Sequence, residues 1–190
     1  MRLGINLMAW SATVGPAERA LFPVLAALGY EGVELPLFHP AAFDPAPVRE
    51  ALQASGLECT LACALPEGAS LLVPDAQPAA LAFLRQCLGV ARALGASVLC
   101  GPLYAPVGVR TGAPPTAAEW RAAVEGLRVV AALAAVGYRG WLVCETFNGQ
   151  IPEIAAATAI WRPLFPDPLT YARESLAFLR RLLPTVGGAR

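Results

Sequence analysis

Two carboxylates close strand-like runs. Glu34 ends the run Gly29-Tyr-Glu-Gly-Val-Glu34-Leu-Pro, and Glu145 ends Gly140-Trp-Leu-Val-Cys-Glu145-Thr-Phe. A carboxylate at a strand end can hold a divalent ion or move a proton beside a carbonyl. The alternative is a polar rim residue paired with an arginine. His39 is the only histidine, and it reads either as a ligand or as a solvated loop residue. One histidine excludes a multi-histidine zinc centre within one chain. Any nucleophile–histidine–acid triad would have to use His39, and no serine sits in a Gly-x-Ser-x-Gly setting. Trp10 and Phe38 are suited to stacking on the apolar face of a sugar, or to packing in the core. Asp44, Asp75 and Asp167 are the only aspartates. Asp75 and Asp167 flank expected helix starts, where capping is their expected task.

A repeated unit must position these groups. Leu25-Ala-Ala-Leu-Gly29-Tyr-Glu-Gly-Val-Glu-Leu and Leu133-Ala-Ala-Val-Gly137-Tyr-Arg-Gly-Trp-Leu-Val are each a helix end, a glycine and an apolar strand. Looser copies centre on Gly56 and Gly95. Glycine suits the left-handed residue that closes a helix. Near-continuous apolar runs indicate strands covered on both faces. The reading gives five strands near residues 2–9, 31–37, 57–64, 96–103 and 140–146. Helices are expected over Pro16–Leu28, Pro45–Ser55, Pro78–Leu94, Thr116 to about Ala135, from Ile151-Pro152-Glu153 onward, and over Pro168–Leu183. Thr116-Ala-Ala-Glu119 forms a capping box, and the tail from Pro184 to Arg190 should fray. Strands alternating with helices predict an α/β fold with parallel pairing and right-handed crossovers. Ligands then sit at the C-terminal strand ends. These are Trp10, Glu34 to His39, Ala62 to Glu67 with Cys63, Gly101 to Tyr104 and beyond, and Glu145 to Asn148.

Composition narrows the chemistry. The chain has 190 residues and zero formal net charge, and every one of its 14 basic residues is an arginine. Without lysine there is no Schiff base, no pyridoxal-phosphate anchor and no Walker A lysine. The arginines do not cluster, which argues against a surface that tracks phosphates. Gly108 and Gly112 are too irregular for a phosphate-binding fingerprint. The five cysteines, Cys59, Cys63, Cys87, Cys100 and Cys144, form no Cys-x-x-Cys pair, so buried free thiols are expected rather than a disulfide framework. No apolar run is long enough for a membrane span. The opening residues lack a signal-peptide layout, so a cytoplasmic location is expected.

Four segments, in order, resemble the xylose isomerase-like TIM barrels, in particular the sugar phosphate isomerase/epimerase group that includes the tagatose and psicose 3-epimerases. They are Gly4-Ile-Asn-Leu-Met-Ala-Trp10, Gly29-Tyr-Glu-Gly-Val-Glu34, Gly101-Pro-Leu-Tyr104 with Pro115-Thr-Ala-Ala-Glu-Trp120, and Gly140-Trp-Leu-Val-Cys-Glu145-Thr-Phe147. The resemblance implies one α/β domain over residues 1–190, a sugar or sugar phosphate as substrate, and one divalent ion, manganese or cobalt. It implies Glu145 as both metal ligand and catalytic acid–base. Trp10, Glu34, Phe38, His39, Cys63 and Tyr104 are the substrate-binding candidates. The family's other three metal ligands have no counterpart, because the chain passes from its fourth helix to what resembles strand eight. The expectation is an incomplete barrel of about five strands, joined near residues 131–137, with strands five to seven missing. Five strands cannot close an eight-stranded barrel, so a homodimer that covers the open edges is expected. Metal-dependent ketose isomerisation or 3-epimerisation is the function implied. The alternative is a non-catalytic remnant that binds sugar or serves in assembly.

Overall fold

The repeat's glycine turns each helix into the strand that follows. In the computed structural model, Gly29, Gly56 and Gly95 all take left-handed conformations at the ends of helices. The structure describes residues 2–107, 116–118, 121–122, 125, 141–144, 151 and 166–186. Outside the described residues lie Glu145, the join near residues 131–137, Gly108 and Gly112, Glu119 with most of the fourth expected helix, and the helix expected after Ile151.

The described strands are β1 (Arg2–Asn6), β2 (Gly32–Pro36), β3 (Glu58–Ala62), β4 (Leu99–Cys100) and β5 (Trp141–Cys144). The helices are α1 (Pro16–Arg19), α2 (Phe22–Leu28), α3 (Pro45–Ser55), α4 (Gln77–Leu94) and α5 (Pro168–Val186). One five-stranded sheet has the order β4-β3-β2-β1-β5, and every pairing is parallel. The last strand lies beside the first, with Arg2 opposite Trp141 and Ile5 opposite Cys144. That is the position of the closing strand of a (β/α)₈ barrel, as the resemblance to strand eight implies.

Several elements are shorter than the sequence predicts. β1 stops at Asn6 because the Asn6 side chain accepts a bond from the Met8 amide at 2.7 Å and closes a 3₁₀ turn over Leu7–Ala9. The helix expected over Pro16–Leu28 divides after Arg19. Pro23 has no N–H to offer the Arg19 carbonyl, and the first piece closes with a bond from the Leu21 amide to the Glu18 carbonyl. At the other end, α5 continues through Pro184 to Val186 where fraying was expected. Asp167 starts α5 by accepting bonds from the Thr170 amide and hydroxyl. Those bonds hold its carboxyl below the usual range. Asp44 caps α3 through the Ala46 amide, whereas Asp75 lies inside a 3₁₀ turn.

Side-chain alternation divides the sheet into two faces. Leu3, Ile5, Val33, Leu35, Cys59 and Leu61 join α2 to α5 in the main core, with Phe22, Leu25, Val48, Leu52, Leu84 and Leu176. The other face carries Asn6, Glu34, Thr60 and Ala62, all buried in the single chain. α5 is tied beneath the sheet, where the Tyr30 hydroxyl donates to the Ala172 carbonyl at 2.6 Å and Arg180 donates to the Gly29 carbonyl. No helix among the described residues is long and apolar enough to cross a membrane.

β4 is cut to two residues by Gly101, which has φ +125° and lies so close to β3 that a Cβ there would collide with the Cys63 carbonyl oxygen. Gly101→Ala should therefore lower stability by more than about 2 kcal/mol, left-handed strain adding to overlap. The urea midpoint checks this; an unchanged midpoint would refute the close approach.

Candidate functional site

Parallel strands leave their C-terminal ends open for chemistry, and here four of them converge on one carboxyl group. Asn6 and Glu34 are register partners across β1 and β2, and Glu34 and Thr60 across β2 and β3. Cys100 of β4 pairs with Ala62, two residues beyond Thr60 on the same face. Glu34 Oε1 accepts from Asn6 Nδ2 at 2.8 Å. Its Oε2 accepts from the Thr60 hydroxyl at 2.9 Å and the Cys100 thiol at 3.1 Å. Asn6 is itself fixed by the Met8 amide. Glu34 is 5% exposed, Asn6 0% and Thr60 3%.

This arrangement corrects the reading of Glu34 as a rim residue paired with an arginine: its described partners are all neutral. The ion pair found among the described residues, Arg2 with Glu58, lies at the opposite end of the strands and is well exposed. Burying a carboxyl group without a cation is costly. A purely structural position could use an amide or a hydroxyl, so the placement marks Glu34 as a functional candidate.

The other expected site residues fall into two groups. Phe38 lies at the mouth, packed with Met8, Ala62, Ala12, Cys100 and Ile151. Trp10 caps the turn after β1 and packs, half-buried, against the main core. Tyr104 is 49% exposed, and its carbonyl accepts from the Leu71 amide. His39 is exposed and opens the 3₁₀ turn over Pro40–Ala42. Cys63 is buried in the main core, where a hydrogen bond with Cys87 of α4, together with burial, pushes its thiol well above the ordinary range. Burial, assisted by the neighbouring Glu58 charge, pushes Cys59 up to about 12. Among the described residues Cys59, Cys63, Cys87 and Cys100 form no disulfide, and the first three are buried.

Three residues that complete the site, Asn6, Thr60 and Cys100, were missed. The available signal was a polar or thiol residue in each of the first four strands, Asn6, Glu34, Thr60 and Cys100, at positions the register brings onto one face. Reading those strands as uniformly apolar concealed it.

The described donors around Glu34 do not by themselves fit a divalent ion. Among the described residues no three histidine, cysteine, aspartate or glutamate groups come together, and both Glu34 oxygens already accept protein donors. Glu145 lies outside the described residues.

A family model described as a xylose isomerase-like TIM barrel matches residues 22–135. A probable ketose 3-epimerase from Synechocystis sp. is 25% identical over 116 residues, which are 60% of this chain and 40% of that protein's length. Among solved structures, D-allulose 3-epimerase from Methylomonas sp., in complex with D-allulose, superposes with TM-score 0.86 at 18% identity, over 95% of this chain and 96% of that one. D-psicose 3-epimerase from Clostridium cellulolyticum H10, with D-tagatose, gives TM-score 0.60 at 20% identity, over 71% and 49%. At these identities the structural likenesses show the fold alone.

Two outcomes follow from this geometry. Thr60→Val should cost about 1–2 kcal/mol in urea unfolding, since it removes one donor from a buried acceptor; no loss would refute the Thr60–Glu34 bond. The raised thiols set an alkaline limit. Cys59 titrates near 9.0 when unaffected and at about 12 in the fold, so the native chain keeps a proton the unfolded chain loses. Its contribution is complete below pH 9 and declines as pH rises toward 12. Urea midpoints across that window should fall more gently in Cys59→Val than in the native chain.

Proposed function

The chain belongs to the xylose isomerase-like TIM barrel family, and on that premise we propose that it is a sugar isomerase or epimerase acting on a ketose at the C-terminal mouth of its sheet. The observation that carries the reading is the buried carboxyl of Glu34, held by donors from three other strands with no described cation beside it. Isomerisation and epimerisation both move a proton beside a carbonyl, and a positioned carboxylate can carry that proton. In this proposal Glu145, which follows β5 directly in the sequence, moves that proton. Glu34 accepts from a substrate hydroxyl, Phe38 and Trp10 cover the sugar's apolar face, and His39 and Tyr104 border the ligand; Cys63, turned into the core toward Cys87, takes no part. Manganese or cobalt is the ion implied by the family resemblance. The described residues do not assemble its ligands, so no step is assigned to it. The homodimer also remains a proposal: among the described strands, β4 and β5 each have one unpaired edge.

The second reading is sugar binding without turnover, in which the Glu34 carboxyl, already held by three protein donors, only orients a hydroxyl. One assay separates the two. The chain is incubated with D-allulose, with and without added manganese or cobalt, and the ketoses are resolved by chromatography. Conversion to the C3 epimer D-fructose is expected, with Glu145→Gln reducing it by at least about a hundredfold. D-allulose binding without conversion under any metal condition would replace the enzyme reading with the binding one.

A further inference from the structure

The three donors to Glu34 are not equivalent. Asn6 is locked by the Met8 amide and fully buried. Thr60 lies in β3, covered by strands on both sides, and is 3% exposed. Cys100 differs in its place: it lies in two-residue β4, at the edge of the described strands, is half-buried, and precedes an exposed glycine. A thiol is also a weak hydrogen-bond donor, well below a hydroxyl. The carboxyl is thus clamped at its inner side and closed at its outer side by the donor that is easiest to replace.

The geometry points to Glu34 Oε2 as the acceptor for a hydroxyl of a polyhydroxylated ligand, with the Cys100 thiol as a placeholder which that hydroxyl displaces. The exchange substitutes an O–H donor for an S–H donor on the same oxygen, so the carboxyl never loses its third bond. Asn6 and Thr60 are positioning residues, since they prevent the carboxylate from turning to follow a departing thiol. Phe38 and Met8, packed beside Cys100 at the mouth, supply the apolar wall against which the displaced thiol can rest. The inference rests on reading the mouth as a sugar site, but its chemistry requires only a hydroxyl donor.

The decisive measurement is the infrared S–H stretching band of Cys100 in the intact chain, isolated by subtracting the spectrum of Cys100→Ser. D-allulose should shift the band toward the frequency of a free thiol. Affinity for D-allulose, measured by calorimetry, should then separate two variants in opposite directions. Cys100→Ala removes the competitor and should tighten binding roughly three- to tenfold, whereas Cys100→Ser installs a stronger competitor and should weaken it by a similar factor. A residue that only lines the site would leave serine close to the native chain and alanine slightly weaker. Binding of D-allulose with an unmoved band, or with equal affinity in the two variants, would overturn the proposal. If D-allulose does not bind, glycerol at high concentration is the second probe. A band shifted by glycerol alone would retire the sugar isomerase reading and keep the hydroxyl acceptor; a band moved by neither would overturn the acceptor.

Discussion

A carboxyl group placed inside a sheet must find donors among its neighbours, and the strand register decides whether it can. Glu34 finds them because β1, β2 and β3 align Asn6, Glu34 and Thr60 directly across from one another, while β4 brings Cys100 in two residues further on. A register slip of one residue in any of these strands would turn the donor to the helix-covered face and strand the carboxyl. The polar cluster and the sheet alignment therefore specify each other. The helices act at one remove: the glycine caps Gly29, Gly56 and Gly95 lead into β2, β3 and β4, and α5 holds the lower end through Tyr30 and Arg180.

Much of this was legible in the residues. The helix–glycine–strand repeat located four strands and the opening apolar run the first, and Pro45–Ser55 was bounded correctly, because Asp44, Pro45 and Gly56 leave little freedom at either end. Strand lengths were overestimated where a single side chain or backbone angle ends the pairing, as Asn6 does for β1 and Gly101 for β4. Such endings depend on contacts across the fold that local apolar patterning does not encode. Glu34 was identified by its place at a strand end. Its partners were not, because a lone Asn, Thr or Cys in an apolar run looks like ordinary strand variation until the register places the four together. Cys63 shows the reverse: it is at a strand end, yet its thiol bonds to Cys87 in the core behind the sheet.

The face opposite the helices is already buried in one chain. The open strand edges were the physical reason to expect a second copy, and burial of this face leaves that reason untouched. The argument for pairing lies at the sheet's two ends: among the described strands, β4 and β5 each have one edge without a paired strand.

The strand order has a consequence for how the chain reaches this state. β1 to β4 pair with nearest neighbours in sequence, so that sheet can assemble while the later part of the chain is still being synthesised. β5 has to return to β1 across more than a hundred intervening residues. Until it arrives, the free edge of β1 is a vacancy open to any extended strand, including one from another nascent chain. The slowest and most error-prone event in folding is therefore expected to be the docking of β5, the strand that leads directly into Glu145.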